Sequence, residues 1–184
     1  VQQPATARFI CRHLYNFFVA DEPQVPSWTI EPARDEEALD AMMTIFEENN
    51  YEIKPLLRMM FNSEFFKNAR FSKIKSPAEV VAGTLKMVEE FQFPEPGILQ
   101  IGKEPSYMGQ AILDPPSVEG WHTGTEWINS GSLLARVNFV ADRVANIELP
   151  GVQKILQLIK EEGAKTPEQV VDAAAGHMGF VELG

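Results

Sequence analysis

A single cysteine among 184 residues leaves Cys11 without an intrachain partner, which excludes a small disulfide-stapled scaffold and leaves the compartment open. No uninterrupted apolar run reaches the roughly 20 residues that a membrane-spanning helix requires, and no charged-then-apolar leader opens the chain at Val1. A Gly-rich loop able to cradle phosphate is missing, as is the Gly-x-Ser-x-Gly turn of an α/β hydrolase. Basic residues are scarce: 16 Lys and Arg stand against 26 Asp and Glu, for a net charge of −10. The cations read as scattered singly among acidic neighbours, so nucleic acid is not an expected partner. No segment shows the strict alternation of a convincing strand, and no solenoid repeat is visible.

What the chain has in quantity is apolar side chains at helical spacing. Apolar residues make up 45% and charged residues 23%, a balance that folds rather than stays disordered. Phe9, Ile10, Leu14, Phe17 and Phe18 predict a first helix from Pro4 to about Val19, with Cys11 as a buried small residue. Pro23, Pro26 and Pro32 then force a loop. Asp35, Glu36 and Glu37 open a second helix, as the helix dipole favours, with Leu39, Met42, Met43 and Phe46 inside. A third runs through IKPLLRMMF.

Ser76-Pro77-Ala78-Glu79 carries the pattern of a capping box and predicts a helix to about Phe91, and Thr166-Pro167-Glu168-Gln169 repeats the logic for a last helix to about Ala175. Residues 98–108 suggest a helix broken at Pro105. Between the capped helices, Leu133, Leu134, Val137, Val140, Ala141 and Val144 predict one apolar face, and Val152, Ile155, Leu156 and Ile159 another, in a helix begun by Pro150. The expectation is an all-α fold: an irregular multi-helix bundle of about seven or eight helices with a long Pro/Gly/Trp loop, forming one domain over 1–184 that is a fragment of a longer protein.

The stretches PATARFICRHLYNFF and SPAEVVAGTL, and above all MGQAILDPPSVEGWHTGTEWINSGSLLARVNF, carry a distinctive signature. Gly109-Gln110, Pro115-Pro116, Gly120-Trp121, Trp127-Ile128-Asn129, Leu133-Leu134-Ala135-Arg136 and Asn138-Phe139 fall in it at fixed spacing. This resembles a bacterial family known as domain of unknown function 1800, over most of the chain and corresponding to the C-terminal part of the family's longer proteins. The resemblance implies a helical, often exported protein, frequently accompanied by a second protein resembling sulfatases or phosphatases, and implies no mechanism. Members often place His before the Pro-Ala-Thr-Ala-Arg motif, where this chain has Gln3.

The segment DPPSVEGWHTGTEWIN, residues 114–129, gathers two tryptophans, a histidine and three carboxylates in a loop stiffened by Pro115 and Pro116. Asp114, Trp121, His122, Glu126, Trp127, Asn129 and Arg136 are its candidate binding residues. Trp121 and Trp127 read either as platforms for a sugar ring or peptide, or as anchors that plug the loop onto the core, with Asn129 capping the following helix. Glu119, His122 and Glu126 form only a weak His/carboxylate metal pattern, so no metal or cofactor is expected. His13 and His177 lie far from it in sequence. Arg8, Arg12, Arg136 and Asn138 interrupt apolar helices and read as ties between helices and loop, or as an anion pocket. The function expected is a helical binding or scaffold module that presents residues 109–129 to a protein or a glycan or other polymer. The alternative is a hydrolase-type site at the same loop, completed by an N-terminal part of the longer protein.

Overall fold

A computed structural model describes residues 3–91, 93–118, 120–121 and 123–179. Among these the fold is all-α, with no strand beyond an isolated bridge between Ser117 and Gly120. The helices are α1 (Pro4–Phe18), α2 (Glu36–Glu48), α3 (Ile53–Asn62), α4 (Glu64–Asn68), α5 (Pro77–Val88), α6 (Ile98–Ile101), α7 (Glu104–Tyr107), α8 (Ser130–Val144), α9 (Pro150–Glu161) and α10 (Pro167–Met178), with 3-10 turns at Val25–Thr29 and Gly124–Trp127. They group into two compact units: Val1–Lys75 with His122–Ile128, and Ser76–Trp121 with Asn129–Gly184.

In the first unit α1 packs on α2, and α2 on α3. Ala7, Cys11, Tyr15 and Val19 repeat every four residues and meet Leu39, Met42, Phe46, Leu56 and Met60 in one core. Cys11 is fully buried, and that burial together with nearby Glu47 pushes its thiol up to about 12. Asp35 caps α2 by accepting from the Ala38 amide at 2.9 Å.

The Pro-rich segment after α1 takes its shape from a charge. Arg12 donates from Nε to Glu22 at 2.7 Å, both side chains being essentially inaccessible. Its remaining nitrogens bond the carbonyls of Trp28, Glu31 and Pro32 at 3.4, 3.1 and 2.8 Å. Trp28 lies under the same guanidinium, 4.7 Å from its ring centre, and donates its own N–H to Pro23 at 2.7 Å. One side chain thus ties together a loop whose own backbone bonds are confined to the short 3-10 turn Val25–Thr29 and its flanks.

In the second unit α5 contacts α7, α8 and α9. The Ser76 capping box forms as expected, but α5 stops at Val88 rather than near Phe91, where Glu89 turns left-handed (φ 54°); its carboxylate meets Lys154 at 2.6 Å. Pro105 sits in the first turn of α7, where its missing N–H costs nothing, so the broken helix becomes two single turns. The Thr166 capping box opens α10, which runs three residues beyond the expected end, to a left-handed Gly179.

The buried face of α8 corrects the apolar phase read from the sequence. Ser132, Arg136 and Phe139 are buried, whereas Leu133, Leu134 and Val137 are 46%, 61% and 55% exposed. Phe139 packs with Val81 and Met108, and the rotation that inserts it turns the leucines outward. Arg143 lies 3.7 Å above the Phe139 ring centre and pairs with Glu90 at 2.8 Å. α9 approaches α5 so closely at Gly151 that a Cβ there would lie 2.1 Å from the Met87 carbonyl oxygen.

Candidate functional site

The signature residues of the long loop prove to hold backbone together. Gly109 (φ 97°) follows the last turn of α7, and the buried Gln110 side chain accepts from the Ala78 amide at 2.9 Å, satisfying a free N–H in the first turn of α5. Asn129 accepts from the Ser132 amide at 2.9 Å while Ser132 Oγ accepts from the Asn129 amide at 3.1 Å, a reciprocal cap on α8. The Ser132 hydroxyl is thereby engaged in the cap, also donating to the Asn129 carbonyl at 3.2 Å.

The candidate residues divide between the units. Asp114, Trp121, Asn129 and Arg136 belong to the second, and Glu126 and Trp127 to the first. His122, like Glu119, lies outside the described residues. Trp127 is only 5% exposed, on the 3-10 turn Gly124–Trp127. That turn is fastened to the start of the Pro-rich segment by the Gln24 amide, which donates to the Thr123 carbonyl at 3.1 Å, and Gly124 (φ 60°) packs where a Cβ would come within 3.2 Å of Asp21. Trp121 is half-buried, with its indole nitrogen enclosed and without a hydrogen-bond partner among the described residues. Asp114 and Glu126 are exposed, and Arg136 is buried, which alone pulls its guanidinium below its ordinary value.

Aliphatic side chains project from the loop in the second unit. Leu113 is 90% exposed at φ 67°, a left-handed backbone that a bulky residue seldom adopts, and Val118 is fully exposed, with Ile112 at 45%. Among the described residues no three His, Cys, Asp or Glu side chains lie together as metal ligands, and no helix is long and apolar enough to cross a membrane.

In the first unit Arg8 and Arg12 border a cleft of about 460 Å³ with Phe9 and Trp28, but both have carboxylate partners, Arg8 reaching Glu36 at 2.7 Å. A second cleft, of about 340 Å³, is lined by Asp21, Arg34, Phe71, Ser72, Lys73 and Thr125 among others. Residues 67–75, KNARFSKIK, hold four cations and no carboxylate, a cluster that the scattered reading of charge passes over. A running count of charge over nine-residue windows would have found it.

These features define an all-α protein whose most distinctive residues cap helices and shape a loop. The family model described as Protein of unknown function (DUF1800) matches residues 1–180, and the chain belongs to that family. No curated protein and no solved structure matches it.

Proposed function

We propose that the chain is a helical binding module that docks a protein partner through the aliphatic tip of its 109–129 loop. The observation that carries this reading is Leu113, held almost wholly in solvent on a left-handed backbone. Strain of that kind is retained where the side chain's position matters, and an exposed Leu beside exposed Ile112 and Val118 suits a dry protein surface better than a glycan. The indoles are less available to a partner: Trp127 is buried and Trp121 half-buried. The hydrolase-type alternative draws no support from the described residues.

Crosslinking the intact chain in a lysate of its host, followed by mass spectrometry, tests the reading. Leu113→Asn, which tolerates the left-handed backbone, combined with Val118→Asp should abolish crosslinks formed by residues 109–121. Identical crosslinked partners for parent and double variant would refute the loop as the docking surface.

A further inference from the structure

Three features of the first unit that loop docking does not use converge on the 340 Å³ cleft. Its volume lies within the range of small-ligand sites, about 300 Å³ and upward. At its edge Phe71 is 61% exposed with φ 62°, a bulky residue on a left-handed backbone with its ring left in water. The surrounding bonds enforce that conformation. Asp21 Oδ2 accepts from the Ile74 amide at 2.7 Å, the Asp21 amide donates to Ser72 at 3.3 Å, and Lys73 Nζ reaches Asn16 O at 2.5 Å and Asp21 Oδ1 at 3.1 Å. Strain so held is characteristic of ligand clamps.

Charge supplies the third feature. In a chain of net charge −10, residues 67–75 hold Lys67, Arg70, Lys73 and Lys75 with no carboxylate between them, Lys67 pairing outside the run with Glu64 at 2.7 Å and Lys73 with Asp21 at 3.1 Å. Arg34 is exposed, makes one long contact to the Asp21 carbonyl at 3.4 Å, and has no carboxylate partner among the described residues. Arg70 stands 5.6 Å from the Phe71 ring centre. An aromatic face, hydroxyls and an uncommitted guanidinium therefore border one cleft whose lining also includes Asp21 and Glu22, the Glu22 side chain being buried against Arg12.

We propose that this cleft binds a hexuronate unit of an acidic polysaccharide. The apolar face of the pyranose stacks on Phe71, its hydroxyls bond Ser72 and Thr125, and its carboxylate pairs with Arg34. Arg70, 5.6 Å from the Phe71 ring centre, attracts the neighbouring acidic unit. Asp21, still 12% exposed, can accept from a sugar hydroxyl, a donor that the phosphodiester backbone of DNA lacks, while Glu22 is buried against Arg12 and takes no part. The proposal stands independently of docking by the 109–129 loop.

Isothermal titration of the intact chain with tetragalacturonate at low ionic strength tests it, with maltotetraose and a thymidine octamer as comparators. Tetragalacturonate should bind, maltotetraose should give no measurable heat, and Arg34→Ala and Phe71→Gly should each weaken binding tenfold or more. Both substitutions suit the fold: Arg34 makes no ion pair among the described residues, and glycine accepts the backbone at 71 without strain. Absence of binding by tetragalacturonate, parent-like affinity in either variant, or equal or tighter binding of maltotetraose or the octamer would overturn the proposal.

Discussion

Arg12→Met removes a guanidinium from the centre of the first unit while keeping most of its apolar stem, and the structure allows the cost to be worked out. The Arg12 and Glu22 side chains are 3% and 0% exposed, so water cannot replace the lost partner of the carboxylate. Breaking such a pair from one side costs about 3–5 kcal/mol, because a buried charge is left alone. Three carbonyl bonds disappear with it, of which the one at 3.4 Å contributes least. About 4 kcal/mol is the expected loss, which at a urea dependence of about 2 kcal/mol per molar moves the unfolding midpoint down by about 2 M. Trp28 and Trp127 both belong to this unit and report its unfolding by fluorescence. Arg12→Met with Glu22→Gln should recover about half the loss, since the uncompensated charge is gone while the amide oxygen can still accept from the Arg34 amide, now at 2.8 Å. A loss below about 1 kcal/mol for Arg12→Met, or strict additivity in the double variant, would refute the reasoning.

Gly151→Ala should destabilise the second unit by at least about 3 kcal/mol in chemical denaturation, because its Cβ would meet backbone, the Met87 carbonyl oxygen at 2.1 Å and Val88 C at 2.5 Å, which cannot rotate away. Cys11, with its thiol pushed up to about 12, should resist a disulfide reagent at pH 8 until denaturant opens the first unit, so labelling and Trp28 fluorescence should change together. His13, packed 4.4 Å from the Phe9 ring and 4.6 Å from that of Trp28, has its pKa lowered by burial. Its contribution to stability is therefore present above the unfolded value of about 6.5 and lost as pH falls through the folded one, and His13→Gln should flatten the fall in melting temperature between pH 7 and 5.

Local chemistry was the legible part of this sequence. Ser76, Thr166 and Asn129 sit beside the helices they cap, so their roles follow from three- and four-residue spacings and the structure reproduces them. The all-α class follows from the same short-range periodicity. The burial of α8 did not follow, because Leu133, Leu134 and Val137 match a helical period as well as Ser132, Arg136 and Phe139 do, and only the fit of Phe139 against Val81 and Met108 selects the second set. The end of α5 did not follow either, because the left-handed turn falls on Glu89, a residue whose type does not announce it. Of the candidate loop residues, Asn129 was readable as a cap, whereas the exposure of Leu113 and the burial of Trp127 rest on tertiary packing that composition does not encode. The strained Phe71 escaped notice for a similar reason: nothing in Arg-Phe-Ser specifies a left-handed backbone until Asp21 and Asn16 bind the residues that follow it.

The dependence of residues 22–32 on Arg12 has a consequence for how this protein can change. A loop held only by its own turns can be exchanged, lengthened or transplanted as a piece. Here, beyond the 3-10 turn, the loop's carbonyls converge on a side chain supplied by a neighbouring helix, so an insertion between Pro26 and Glu31 would shift those carbonyls out of reach while leaving the Arg12–Glu22 pair behind. The loop and the arginine are therefore inherited as one part, and variation in this region should take the form of substitutions at exposed positions such as Ile30, at unchanged length.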